Sequence, residues 1–319
     1  MSSLDALIAE LEIPPLLVEV GPVDRPFPVW EPIAAHSVYV GAGPDTSRPA
    51  VRKARSRFQS AHFLDDLIVP VEDRAAVTLH VAKDPTYSSL LAPRPGLESQ
   101  FIDLGCAVQD ERVVRGATLG AVLDRLSLPA PDWLHMNVNG VEVPIFRSLP
   151  DPLRGRILAL DSCFQLLELW TGQASHIAAY EEFVQQGFWI SRLWPSGPIR
   201  MRRESRAAVR SLERGFTEQF FIDHHRVAPA WVFLRFFRTP EYLTEHDLAR
   251  REYVLLWAFG VLDGQIGFAA DVVIEYERRF GPDRHSRALW EVTVARLRRL
   301  GGFLPAAVRR ALRRVLFGM

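Results

Sequence analysis

The chain has 319 residues, 48% hydrophobic and 24% charged, with a formal net charge of zero and two cysteines. That composition supports a sizeable apolar core and excludes a disordered, collagen-like or disulfide-stapled chain. No apolar run approaches the ~18–20 residues that cross a bilayer, and the N-terminal MSSLDALIAELEIPPLL carries acids without the basic region of a secretory signal.

The first two-thirds alternates strand-like and helix-like runs. Strands are predicted at 16–20, 37–41, 67–71, 77–81, 133–138, 156–160 and 188–194, and helices at 118–126, 143–149 and 176–186. Such alternation implies parallel βαβ units in a doubly wound sheet, with ligands at the C-terminal edge of the strands. After Pro195-Ser-Gly-Pro198 the pattern becomes mostly helical: 202–221, 243–262, 266–280, 286–300 and a last helix from Pro305. The expected division is therefore a first domain over 1–200 and a helical C-terminal region over 201–319.

Charge follows the same division. Residues 1–200 hold 17 basic and 24 acidic side chains, and residues 201–319 hold 21 and 14. In the last helix Val308, Ala311, Leu312, Val315 and Leu316 form an apolar stripe opposite Arg309, Arg310, Arg313 and Arg314. Such a helix lies on an anionic membrane surface, here the inner membrane face, or packs on the protein body or a second subunit of a homo-oligomer. The acidic remainder of the chain argues against nucleic acid as a partner. Cys106 and Cys163 are widely separated, which reads as buried thiols in a reducing, cytoplasmic setting. Asp223-His224-His225 lacks a helix-spaced partner and is not read as a metal site. The aromatic run 231–237 reads as core.

Glu19-Val-Gly21-Pro22 is a strand ending in an acid and a glycine turn. It loosely suits a nucleotide-like cofactor, but a pattern this short reads more simply as a buried strand leaving through a turn. More informative is Thr118-Leu-Gly-Ala-Val-Leu-Asp-Arg-Leu126, followed by Pro131-Asp-Trp-Leu-His-Met-Asn-Val-Asn-Gly-Val-Glu142. Tyr87-Ser-Ser-Leu-Leu91, Leu169-Trp-Thr-Gly-Gln173 and Gly187-Phe188 accompany it in order. Over residues 14–195 these phrases resemble the FkbM-type methyltransferases, which use S-adenosylmethionine.

The resemblance implies a class I methyltransferase fold: α/β, Rossmann-like, with a doubly wound mostly parallel sheet and, here, a helical C-terminal extension. It implies O-methylation of a hydroxyl on a small molecule, sugar, glycan or natural-product intermediate. Glu19, Gly21, Gly43 and Asp45 would line the cofactor. His135, Asn137 and Glu142 would be catalytic, and Ser88, Ser89 and Asn139 would meet the acceptor. The sequence departs from the family at several of these positions. Asn137 replaces an Asp, Asn139 a Gln, His135 a frequent Lys, and Gly43 the acid that would hold the ribose hydroxyls. Asn137 cannot take up a proton near neutral pH, whereas a histidine with an ordinary pKa can, so His135 is the candidate base, or else a satisfied interior histidine. The departures support a second reading: a methyltransferase-like protein that has lost catalysis and acts as a binding or assembly partner.

Overall fold

The structure is a computed structural model describing residues 3–22, 26–43, 56–71, 76–102, 104–213 and 215–301. Asp45 and the basic helix from Pro305 lie outside the described residues. The strands are Leu16–Val20 (β1), Val38–Ala42 (β2), Ser60–Leu64 (β3), Ala76–Ala82 (β4), Phe101–Ile102 (β5) and Val108–Arg115 (β6). They continue with Trp133–Met136 (β7), Ala159–Gln165 (β8), Phe188–Ser196 (β9), Ile199–Arg200 (β10) and Trp231–Arg238 (β11).

Seven of them form one sheet in the order β3-β2-β1-β7-β8-β11-β9. β3 to β8 run parallel, and β11 is antiparallel to both of its neighbours. The fold is thus α/β with a mostly parallel central sheet, compatible with a Rossmann-like arrangement. The strand order reverses between β1 and β7, which puts a topological switch point at their C-terminal ends.

Side-chain alternation sends the sheet's residues into two cores. Leu17, Tyr39, Trp133 and Phe237 pack with the helices Leu4–Ala9, Arg250–Asp263 and Ile266–Phe280. Leu16, Val18, Val20, Leu134 and Met136 pack on the other face with Leu119–Arg125, Glu142–Ser148 and His176–Gln185. Both thiols are buried and free. Among the described residues, no helix is long and apolar enough to cross a membrane.

Three expectations are corrected. Residues 67–71 make only an isolated bridge, Ile68 to Ala117; the third strand of the sheet is β3. The run at 77–81 belongs to β4, which pairs with β6 in a separate antiparallel ribbon. Lastly, the region after residue 200 is no separate helical unit. β11 fills the sheet between β8 and β9, and Tyr253, Trp257 and Val272 share one core with Leu17 and Trp133. Arg251 closes the junction: its guanidinium donates to both oxygens of Asp132 (2.8 and 2.7 Å) and to Pro14 O (3.1 Å), while Asp132 accepts from Leu16 N (2.7 Å). β11 reads as part of a helical region because it is buried on both faces and shows a continuous apolar run instead of strand alternation.

Candidate functional site

At the switch point the ladder of backbone hydrogen bonds runs one residue past each strand. Gly21 N donates to Ala42 O (3.0 Å), Gly43 N to Leu64 O (3.0 Å) and Asn137 N to Val20 O (2.9 Å). The three strand ends are thereby drawn together, and this closeness explains both glycines. Gly21 has φ +127°, and a Cβ there would stand 2.3 Å from Asn137 O. A Cβ on Gly43 would stand 1.8 Å from Gly21 O. Gly43→Ala is expected to lower stability by about 1–3 kcal/mol through overpacking, read by urea denaturation; an unchanged midpoint would show that the strand ends part easily.

Above these ends lies a crevice of about 170 Å³, lined mainly by Val20, Ala42, Ile68, Leu79, Val81 and Leu90. Its outer wall is the β4–β6 ribbon together with residues 85–90, and Arg112 is the only charged side chain among the described lining residues. Gly21, Gly43, Ser88, Ser89 and Asn137 line it, as the sequence places them. Glu19 does not. It is buried on the Tyr39 face of β1, where its Oε2 accepts from the Tyr39 hydroxyl (2.8 Å). Burial, helped by the Glu19 charge, drives the Tyr39 pKa far upward, so the phenol holds its proton.

The residues expected to meet an acceptor are instead joined to one another. Asn139 takes the left-handed conformation (φ +56°) and donates to Thr86 O (2.8 Å) and Ser88 O (2.9 Å). The Ser89 hydroxyl donates to Asn139 O (2.7 Å) and accepts from Leu91 N (3.0 Å). The Ser88 hydroxyl accepts from Ala82 N (3.1 Å). These bonds staple the ribbon's base to the turn after β7; Ser88 and Ser89 line the crevice, and Asn139 is not among its lining residues. Glu142 likewise serves its own turn: Oε1 accepts from Val138 N (3.1 Å) and Oε2 from Gly140 N (2.9 Å). Burial pushes its carboxyl up to about 7, against the pull of those amides.

His135 faces elsewhere. It shares a face with Trp133 and lies in register with Glu19 and Asp161. It lines a second cavity, of about 490 Å³, with Phe27, Ser162, Trp194, Arg235 and Asp263, whereas Asn137, just past the strand end, lines the crevice. The expectation that both face one substrate fails because β7 ends at Met136, so strand alternation stops before Asn137. The ring stacks on Phe27 (centroids 4.4 Å apart, 25° between planes). Burial and the nearby Arg235 charge push its pKa down to about 3. Both effects disfavour the protonated imidazole, which counts against His135 as a general base.

The second cavity's charged wall was not foreseen as a site. Arg235 donates through Nε to Asp161 Oδ1 (2.7 Å) and through Nη1 to Asp263 Oδ1 (2.6 Å). Arg192, at the mouth, adds Nε to Asp263 Oδ1 (2.9 Å). Burial raises the Asp161 carboxyl to about 6, opposed by Arg235 and by the Trp133 indole N–H. A signal existed: an Arg inside the apolar run 231–237 must find a buried partner. No protein-family model, curated protein or solved structure matches this chain, which leaves its function to be read from the crevice and the cavity themselves.

Proposed function

We propose that this chain is a methyltransferase-like protein that works by binding, not by methyl transfer. One observation carries the reading: the crevice at the switch point has no carboxylate among its described lining residues, and position 43 leaves no room for a side chain. S-adenosylmethionine carries an adenine, a ribose diol, an ammonium, a carboxylate and a sulfonium. The apolar wall suits the adenine. Asn137 offers an amide oxygen to the diol, but no carboxylate among the described lining residues balances the two cationic groups, so these residues do not fit the whole cofactor. Of the polar side chains that the resemblance assigned to chemistry, those of Ser89, Asn139 and Glu142 are engaged in internal bonds and His135 faces the other cavity, which leaves Asn137 in the crevice.

A methyltransferase that retains activity is the second reading. The sheet order favours it. Counted within the sheet alone, the strands run 3-2-1-4-5-7-6 with the seventh reversed, the arrangement a class I methyltransferase fold calls for. Methyl transfer also depends more on alignment than on acid–base help. Calorimetric titration with S-adenosylmethionine and S-adenosylhomocysteine separates the two. The expected result is no saturable heat up to millimolar ligand. Micromolar affinity for either compound would overturn the binding-only reading and make this an enzyme on a hydroxylated acceptor.

A further inference from the structure

The β4–β6 ribbon has an open edge. His80 exchanges both of its backbone hydrogen bonds with Ser89 (2.8 Å from His80 N and 3.1 Å to His80 O), on the side of β4 away from β6. Its pair with Glu111 is therefore one of the ribbon's non-hydrogen-bonded pairs, in which both residues turn N–H and C=O outward. The period of two extends this to Val113 and Arg115. Among the described residues no strand pairs with that side of β6. The central sheet protects its own edge: β9 carries Pro195 and a bulge, and Gln265 Nε2 donates to Ser191 O (2.6 Å). Between Glu111 and Arg115, β6 has no proline, glycine or bulge.

The side chains along this edge define its partner. Glu111, Val113 and Arg115 share one face and are exposed, Val113 at 77%. Arg112, on the other face, lines the crevice and donates to Asp110 (2.7 Å). A second β6 can lie antiparallel along the edge about a two-fold axis. Paired residues share a face, so one residue at the centre must meet its own copy. Centring on Glu111 or Arg112 sets like charges opposite each other, which is unfavourable. Centring on Val114 sets Glu111 against Ala117, already bridged to Ile68. Centring on Val113 joins the exposed valine to its copy and sets each Glu111 opposite the partner's Arg115. One Glu111 oxygen meets His80 Nδ1 (3.0 Å), and the carboxylate has a second for that arginine.

We propose that the chain forms a two-fold dimer through β6 of each copy, centred on Val113, so that two ribbons become one four-stranded antiparallel sheet. The outward N–H and C=O groups of Glu111, Val113 and Arg115 then find partners. The ribbon is the outer wall of the crevice, so the dimer braces that wall. The pairing is independent of what the crevice binds. A single strand pair is a small interface, and a dissociation constant on the order of 1–100 µM is expected.

The test is sedimentation velocity of the full-length protein from about 1 to 500 µM, a range that brackets the expected affinity. The expected result is a shift from monomer to dimer as concentration rises. Val113→Pro should hold the protein monomeric with its melting temperature nearly unchanged, because the lost N–H points outward and bonds nothing within the ribbon. Glu111→Arg and Arg115→Glu should each weaken the dimer by about tenfold or more, and the double variant, in which the two charges change places, should restore it. A monomer at every concentration would give the edge to another occupant and overturns the proposal. So does a dimer that Val113→Pro leaves intact, or one that only removal of residues 305–319 dissolves. Failure of the double variant to recover the dimer lost in the single ones overturns the Val113-centred register and the proposal with it.

Discussion

Replacing Arg235 by leucine is expected to lower folding stability by about 3–5 kcal/mol at neutral pH, the range for removing one partner of a buried ion pair. Arg235 is 3% exposed and holds both Asp161 and Asp263, themselves 3% and 2% exposed. Without it two carboxylates remain in the interior, and Arg192 reaches only one of them. Burial already raises the Asp161 carboxyl to about 6, so losing its cation would drive that group further toward the protonated form. Urea denaturation measures the effect. The triple variant Arg235→Leu, Asp161→Leu, Asp263→Leu should recover much of the loss, since a whole buried triad is often replaceable by apolar groups. A loss below about 1 kcal/mol for the single variant would mean that water enters the cavity and screens the carboxylates.

His135→Phe should remove most of the protein's sensitivity to mild acid that comes from this face of the sheet. The native imidazole titrates near 3, against an ordinary value of 6.5, because burial and Arg235 oppose its charge. A depressed histidine contributes stability that is present above the unfolded value of 6.5 and is lost as pH falls toward 3. The full shift corresponds to about 5 kcal/mol; water at the cavity mouth brings the expected figure to about 3 kcal/mol. Glu142 and Asp161 act in the opposite sense. Their native values are raised to about 7 and about 6, so their contribution is present below the ordinary carboxylate range and is lost as pH rises through those values. Denaturation midpoints between pH 4 and 8 distinguish the groups: the gap between His135→Phe and the parent protein should widen as pH falls. A gap independent of pH would show that His135 is charged or solvated in the folded protein.

Parts of the candidate site were legible in the sequence because they are local. Ser88, Ser89, Asn139, Gly140 and Glu142 sit in two short turns, and the structure does bring those turns together. What the sequence did not disclose is that their polar atoms are consumed in the meeting. That depends on the ribbon β4–β6, whose second strand is polar and exposed and gives little periodic signal. β3 was missed for a related reason: Ser60-Ala-His-Phe-Leu64 is a half-exposed strand at the sheet's edge, while the more apolar 67–71 run carries Pro70, which has no N–H for a ladder.

The sequence by itself determined the alternation of strands and helices, the buried runs at β1, β2 and β7, the strand at β9, and the glycines that end β1 and β2. These follow from side-chain periodicity and backbone freedom, which act over a few residues. The tertiary structure alone decided why position 43 must be glycine, that Arg235 pairs with Asp161 and Asp263, and that His135 turns away from Asn137 into a cavity of its own. Each of these is set by groups far apart in the chain, up to 74 residues between Arg235 and Asp161, whose meeting depends on strand order and on where β7 stops.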